Sequence, residues 1–314
     1  MPDPARMTPE QLERALGYRH NFARIVRADE QRLEFGYDLD PQRWPWLALP
    51  PQHPVVLDKV QYFSAVTGSL AASRLEPGTR SALTKLGWSC TPRPGGARHA
   101  VRGVLEPWVG EQRAGYELTL FDDQGRENAR IRGEGAAFAD RDFAAWRAKS
   151  KREAAAAAAA QQVLPRADPV AAGLGPAGRS LVSAPLARDG ARGVLAQVGA
   201  ANGFHPAHPF HTGTGDHVNA AHLLDCALQA AHLLWDPAGT ALRCTGGEAE
   251  FLRFVELEAA FELWLEACEP RAAGRARLRF AIGQAGRENA RIRLELEATP
   301  PAPVESANLG GTDP

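Results

Sequence analysis

The sequence lacks several features that would assign the protein to a specialised class. Its 314 residues include only four cysteines and no CxxC pair, so we predict no disulfide framework. Its 36 basic and 37 acidic residues nearly cancel, so the composition gives no sign of the clustered positive surface that nucleic-acid binding requires. There is neither an apolar signal core near the N-terminus nor a run of about 20 apolar residues. We therefore expect a soluble protein of the reducing cytoplasm.

An eight-residue repeat organises the chain. The octapeptide GRENARIR occurs at 125–132 and again at 286–293, 161 residues later. Each copy follows a segment of alternating apolar and polar residues, so each is predicted to form a hairpin turn and the strand that leaves it. A period of this length is too long for a solenoid and indicates two fused, homologous domains.

Each unit carries one helical segment between strand-like segments. The first is VQYFSAVTGSLAASRLEPG and the second is LLDCALQAAHLLWDPAG, and both end in proline and glycine. An antiparallel sheet that wraps a single apolar helix is an α+β arrangement known as the hotdog. We therefore predict a double hotdog, with the first hotdog over 1–148 and the second over 179–300.

Three shorter segments lie outside this core pattern. Residues 149–178 contain an alanine run of high helix propensity and then prolines and glycines, which predicts a connecting helix and a linker. Residues 301–314 are poor in apolar side chains and are predicted to be disordered. Near the N-terminus, Thr8, Pro9 and Gln11 show the pattern of a capped, short amphipathic helix.

Short motifs in both units resemble bacterial 3-hydroxyacyl-ACP dehydratases. In the first unit, DLDPQRWPWLALPPQHPVVLD resembles the segment that leads into the central helix of the β-hydroxydecanoyl type, and LGWSCTPRPG resembles the strand after that helix. In the second unit, HLLDCALQA is similar to the Asp-x-x-x-Gln helix of these enzymes and of tandem hotdog dehydratase domains in polyketide and polyunsaturated fatty acid synthases. The resemblance covers nearly the whole chain. It implies the removal of water from a 3-hydroxyacyl thioester to give a 2-enoyl thioester.

The resemblance also implies which residues carry the reaction. A histidine removes the proton next to the carbonyl, and an acidic side chain protonates the departing hydroxyl. Asp225 matches the acid, with Gln229 one turn later to orient its carboxyl group. The family's spacing places the histidine at His211, followed by Gly213 and Gly215 in the loop that approaches the thioester. The alternative is an interior polar cluster in which Asp225 and Gln229 have no catalytic role.

The first unit departs from this pattern. The same spacing falls on Leu49 at the histidine position and on Phe63 at the acid position. The family's sites take the histidine from one hotdog and the acid from the other, so Asp225 would face Leu49 and His211 would face Phe63. His53 lies four residues past Leu49 and could supply the imidazole to Asp225, as in tandem polyketide synthase domains. The alternative is that His53 is a loop histidine without a role.

Six of the nine histidines lie close together in the second unit. His205, His208 and His211 are spaced by three, which would allow a zinc site in a loop. The prolines between them prevent a helix that would place all three on one face, and we assign no metal. His222 and His232 are predicted to be packed, hydrogen-bonded residues of the second central helix.

Together these features predict a cofactor-free hydro-lyase of fatty acid or polyketide biosynthesis. Its substrates would be thioesters of acyl carrier protein or of CoA, and other synthase components or a second copy of the chain are further expected partners. Two alternatives stay open: a hotdog that binds acyl carriers without catalysis, and a hotdog thioesterase. Alternating arginines on the repeated strands form either a solvated face or a docking surface for an acidic carrier protein; they are Arg126, Arg130, Arg132, Arg287, Arg291 and Arg293.

Overall fold

Twelve antiparallel strands form one continuous sheet in the described part of the chain. The computed structural model describes residues 22–29, 31–71, 79–93, 96–109, 114–139, 143–159, 165–174, 178–199, 217–235, 241–272 and 274–299. The first half contributes β1 (Ala23–Ala28), β2 (Leu33–Tyr37), β3 (Thr79–Cys90), β4 (Arg102–Val109), β5 (Ala114–Phe121) and β6 (Glu127–Ala139). The second half contributes β7 (Leu186–Arg188), β8 (Ala191–Ala196), β9 (Ala241–Phe251), β10 (Phe261–Arg271), β11 (Arg275–Gln284) and β12 (Arg287–Thr299). The helix predicted near Thr8 and the tail at 301–314 lie outside the described residues.

The strand order shows the duplication directly. Across the sheet it is β1-β2-β4-β5-β6-β3-β9-β12-β11-β10-β8-β7. From the outer edge inward, the first half has the order β1-β2-β4-β5-β6-β3 and the second half has β7-β8-β10-β11-β12-β9. The two orders are the same when β7 to β12 are matched in turn with β1 to β6. The halves join edge to edge through β3 and β9, which pair antiparallel from Lys85↔Glu250 to Ser89↔Gly246.

One long helix lies at the centre of each half. These helices are α1 (Pro54–Ala71) and α3 (Ala220–Trp235), and they pack against each other. The helix α2 (Phe143–Ala159) connects the two halves, and a short 3₁₀ helix (Pro45–Ala48) precedes α1. Each half is thus one helix wrapped by a six-stranded antiparallel sheet. The chain is a double hotdog, which confirms the predicted α+β fold.

The starts of both central helices are fixed by side-chain caps. The Nδ1 atom of His53 accepts a hydrogen bond from the Val55 N–H at 3.2 Å, and Pro54 occupies the first helical position, where no N–H is needed. The Oδ1 atom of Asn219 accepts a hydrogen bond from the His222 N–H at 3.2 Å. His53 is therefore held in place by the helix that it begins.

Strand alternation builds the core around each helix. Along β11 the side chains of Ala276, Leu278, Phe280 and Ile282 are buried, while the residues between them are exposed or partly exposed. Successive side chains of a strand point to opposite faces, so one face of the sheet covers α3 and the other carries the charged residues.

The repeated octapeptide has the same structural role in both halves. Gly125 and Gly286 have φ angles of 72° and 71° in the turns before β6 and β12, a backbone conformation that favours glycine. The Nδ2 atom of Asn128 donates to a carbonyl of the loop after β3 at 2.6 Å, and that of Asn289 donates to a carbonyl of the loop after β9 at 2.7 Å. The repeat therefore fixes loops rather than forming a site.

The connecting segment is more closely attached to the second half than a plain linker would be. The helix α2 starts at Phe143, inside the range predicted for the first hotdog, and not at 149. Arg147 of this helix forms a buried ion pair with Glu256 at 2.7 Å. Within the predicted linker and just after it, the N–H of Ala167 donates to the carbonyl of Val182 at 3.0 Å, and both residues are buried.

Candidate active site

Each central helix has a partly exposed, ionisable residue among buried neighbours. Asp225 lies within α3, and His53 directly precedes α1. Along α3, every residue from Ala221 to His232 is buried except Asp225, which is partly exposed. At the start of α1, His53 is partly exposed between two buried neighbours. A charged side chain within an otherwise buried helix requires a polar partner or contact with solvent. Asp225 and His53 are therefore candidates for groups that face a ligand.

His53 and Asp225 interact across the seam between the two halves. Burial lowers the pKa of His53, because the charged ring loses hydration. The carboxylate of Asp225 acts in the opposite direction and raises the pKa of His53, whereas the imidazole of His232 lowers it. The net pKa of His53 is lowered, so at neutral pH the ring is largely neutral. The structure thus brings together an imidazole from the first hotdog and a carboxyl group from the second.

The cap of α1 sets the protonation pattern of the His53 ring. Because Nδ1 accepts the hydrogen bond from the Val55 N–H, the proton of the neutral ring is assigned to Nε2. In this tautomer the free donor of the ring is Nε2–H, across the ring from the capped Nδ1. A base at Nε2 requires the other tautomer and the loss of this capping bond.

Gln229 lies one turn from Asp225 and is buried, as predicted. Its Oε1 atom accepts hydrogen bonds from the Leu181 N–H at 2.8 Å and from the Ser180 Oγ at 3.2 Å. These bonds hold the segment before β7 against α3. The proposed role of Gln229 in orienting the Asp225 carboxyl stays a prediction.

Several predicted site residues lie outside the described part of the chain. They are His205, His208, His211, Gly213 and Gly215. Among the residues that the structure describes, no group of three or more His, Cys, Asp or Glu side chains is placed to hold a metal ion.

In the first half, the family's spacing assigns the acid position to Phe63, and this residue belongs to an aromatic cluster. Phe63 is 1% exposed, and its ring centroid lies 5.5 Å from that of Phe22 and 5.2 Å from that of Trp44. Leu49 ends the short 3₁₀ helix and packs against the same core. These two residues contribute packing and no acid–base pair.

Gln61 belongs to a buried polar cluster that was not among the predicted site residues. Its Nε2 atom lies 3.5 Å from Asp58 Oδ1, and the Tyr116 hydroxyl donates to its Oε1. Burial raises the pKa of Asp58 and lowers the pKa of Lys59 to about 8. The signal was present in the sequence, because adjacent charges at 58 and 59 interrupt an otherwise apolar helix.

The arginines of the repeated strands are largely paired. Glu127 binds Arg130 at 2.8 Å, and in the second half Glu288 binds Arg291 at 2.6 Å. Contacts with a carboxylate or an aromatic ring also engage the other four, Arg126, Arg132, Arg287 and Arg293. An acidic carrier protein would have to compete with these carboxylates for the arginines. The pairing therefore favours the interpretation of this arginine face as a solvated surface.

Solved structures with a similar fold include two kinds of thioester enzyme. A putative oleoyl thioesterase from Lactobacillus plantarum is 12% identical, with a TM-score of 0.49 over 88% of this chain and 98% of that one. The dehydratase domain of RzxB from Pseudomonas fluorescens is 14% identical, with a TM-score of 0.48 over the same shares. A 12:0-ACP thioesterase from Umbellularia californica is 9% identical, with a TM-score of 0.46 over 85% and 97%. Similarity this low does not carry a reaction from one protein to another.

No protein-family model matches the chain, and no curated protein sequence matches it. Among the described residues, no helix is long and apolar enough to cross a membrane.

Proposed function

We propose that the protein removes water from a 3-hydroxyacyl thioester, with His53 and Asp225 as the acid–base pair. The observation that supports this proposal is the interaction of an imidazole from the first hotdog with a carboxyl group from the second. This is the composite site that the resemblance to tandem hotdog dehydratases implies. A bound substrate would lie in the seam between α1 and α3, carried on acyl carrier protein or on CoA.

In the proposed reaction, His53 takes the proton next to the thioester carbonyl. Its lowered pKa suits this role, because a neutral ring is available near neutral pH. Asp225 donates a proton to the departing hydroxyl, which leaves as water; this role requires the carboxylate of the free protein to take up a proton when the substrate enters the seam and displaces water. The electron pair of the broken C–H bond becomes the double bond of the 2-enoyl thioester. To reset the pair, the proton on His53 must return to Asp225.

A second reaction, thioester hydrolysis, is favoured by the Val55 cap. The capped ring presents Nε2–H to the seam, which suits a donor to an oxyanion better than a base. Asp225, as a carboxylate, would then take a proton from the attacking water, and the thiol would leave. Dehydration instead requires that substrate binding break the Val55 bond and move the ring proton to Nδ1.

Product analysis separates the two reactions. We would incubate the purified chain with a series of 3-hydroxyacyl-CoA thioesters of increasing length and measure enoyl-thioester absorbance and free thiol in parallel. Enoyl product that disappears in Asp225→Asn and His53→Gln supports dehydration. Free thiol without enoyl product supports hydrolysis. Neither product, for thioesters of CoA and of acyl carrier protein alike, would overturn the catalytic proposal.

The matched control is His99→Gln. His99 is a partly buried histidine of the first half that interacts with the backbone of Leu47. Its replacement should leave either activity close to that of the unmodified protein. A comparable loss in this variant would mean that the His53 result reflects general damage to the fold.

A further inference from the structure

A small cavity lies inside the first half, between the start of α1 and the sheet. Its volume is about 10 Å³. Most of its lining is apolar, but three polar side chains also border it, those of Gln52, His99 and Asn128. A buried water molecule needs a space of about 10 to 15 Å³, so this cavity has room for one water and none for an acyl chain.

Asn128 contributes an acceptor that the rest of the protein leaves unused. The side chain is 6% exposed, and its Nδ2 atom donates to the Arg98 carbonyl at 2.6 Å. Only the nitrogen of an amide can donate to a carbonyl, so this bond fixes the place of the amide oxygen. That oxygen, Oδ1, is buried and accepts no hydrogen bond from any residue that the structure describes. Burying an amide oxygen without a donor is costly, so folded proteins usually supply a donor from the chain or from ordered water.

The second half supplies the donor from its own backbone. Asn289 has the same place in the repeated octapeptide and is also buried. Its Oδ1 atom accepts from the Gln284 N–H at 2.9 Å. The side chain of Gln284 in turn donates to the carbonyls of Glu256 and Ala259, at 3.0 and 3.1 Å. The same asparagine oxygen is therefore satisfied in the second half and left over in the first.

Gln52 gives a water in the cavity its second partner. The Nε2 atom of Gln52 donates to the Thr91 carbonyl at 3.2 Å, which leaves its Oε1 atom as an acceptor. Because the cavity is only one water wide, a water inside it is in contact with the side chains that line it. Its two protons match the two oxygens of Asn128 and Gln52, and two to four polar partners are typical of a buried water.

We propose that one water molecule occupies this cavity and donates hydrogen bonds to Asn128 Oδ1 and Gln52 Oε1. In the first half it takes the place of the bond that the Gln284 N–H makes in the second. It also ties β6 to the residue directly before His53, and so helps to hold the segment that carries the candidate imidazole. The site does not depend on which reaction the seam performs.

Water-to-protein NOE spectroscopy of the full chain, labelled with ¹⁵N, tests the proposal. A water held in the cavity gives NOE and ROE cross-peaks of opposite sign to the side-chain amide protons of Asn128 and Gln52. The side-chain amide of Asn289 is the internal control and should give none, because its oxygen is bonded to the backbone. Absence of the peaks at Asn128 in the folded protein, or equal peaks at Asn289, would overturn the proposal.

Three variants identify the source of the peaks. Ala129→Val adds bulk to the cavity lining and should abolish them. Ala290→Val, the same change at the matching octapeptide position of the second half, should leave them in place. His99→Gln removes the ring proton of the cavity lining that exchanges with solvent, and the peaks should persist. Loss of the peaks in His99→Gln, or equal loss in both valine variants, would refute a bound water at this site.

Discussion

The carboxylate of Asp225, in the second half of the chain, raises the pKa of the imidazole of His53, in the first. The interaction depends on the packing of α1 against α3, which the junction of β3 and β9 holds in register. Neither half contains this pair alone. The candidate chemistry is therefore a property of the fused protein.

Replacing Asp225 with Asn should lower the pKa of His53. The carboxylate stabilises the charged ring, so its removal leaves burial and the repulsion from His232 without opposition. His53 would then hold its proton only at lower pH. NMR titration of the His53 ring signals measures the change.

The control for this titration is Asp123→Asn, which neutralises an exposed carboxylate in the hairpin between β5 and β6. It should leave the His53 signals where they are. If Asp225→Asn fails to lower the pKa, the two groups do not interact in solution, and the composite site loses its main support.

The architecture was predictable because the duplication left strong local signals. The repeated octapeptide, strand alternation and one apolar helix per unit were sufficient for a double hotdog, and Asn128 and Asn289 show why the repeat persists in both halves. The helix α2 begins at Phe143, six residues before the boundary predicted at 149. Its attachment through Arg147 joins residues far apart in sequence, so no local pattern reveals it.

The candidate site was predictable only in part. Asp225 was proposed from the Asp-x-x-x-Gln resemblance and His53 from its place four residues past Leu49, and their catalytic roles stay predictions. The contact between His232 and Gly173 joins distant parts of the chain, and neither residue gives a local sign of it in the sequence. Counting back from the acid also gave Leu49 and Phe63, and both are packed in the core of the first half.

Phe63→Ala should strongly destabilise the first half. The ring is buried among Phe22, Trp44 and Tyr62, and its removal leaves a cavity that the packed rings cannot close. We expect a loss of about 3 to 5 kcal/mol in the free energy of unfolding. Denaturant unfolding measures it, with Val26→Ala on the exposed edge strand β1 as a control that should change little. A loss below about 1 kcal/mol would show that the cluster is loosely packed.

Arg147→Met should cost about 3 to 5 kcal/mol, because it leaves the buried carboxylate of Glu256 without its cation. The exposed pair between Arg287 and Glu153 also joins α2 to the second half, at 3.0 Å, and makes Arg287→Met a matched control. That control should cost less than about 1 kcal/mol. Equal losses in denaturant unfolding would mean that burial of the first pair has no energetic effect.

Asn289→Ala should destabilise the protein more than Asn128→Ala. Asn289 accepts from the Gln284 N–H at 2.9 Å and also donates to a loop carbonyl, whereas in the described part of the chain Asn128 makes only the second kind of bond. Each buried partner left without its bond costs about 1 to 3 kcal/mol, so the difference should be about one such bond. Equal unfolding free energies for the two variants would contradict the difference between the halves.

The burial of Lys59 destabilises the folded protein by an amount that depends on pH. The side chain is 2% exposed, and burial lowers its pKa to about 8 in the folded state. In the unfolded chain the pKa of a lysine is about 10.4, so the unfolded state binds more protons between these values. The resulting destabilisation is fully present below the folded-state pKa, and it fades as the pH rises towards the unfolded value.

Lys59→Met should therefore raise the free energy of unfolding by roughly 2 to 3 kcal/mol near neutral pH, since it removes a buried cation and keeps the apolar stem. The advantage over the unmodified protein should shrink steadily as the pH is raised from about 7 to about 10, because the amine of Lys59 is then neutral as well. Denaturant unfolding of both proteins across this range measures the difference between their free energies of unfolding. Other groups titrate alike in the two proteins, so their contribution cancels in this difference. Lys85→Met, at a partly exposed lysine on β3, should show no such trend. A constant difference for Lys59→Met would mean that its amine is charged throughout and is stabilised by its neighbours.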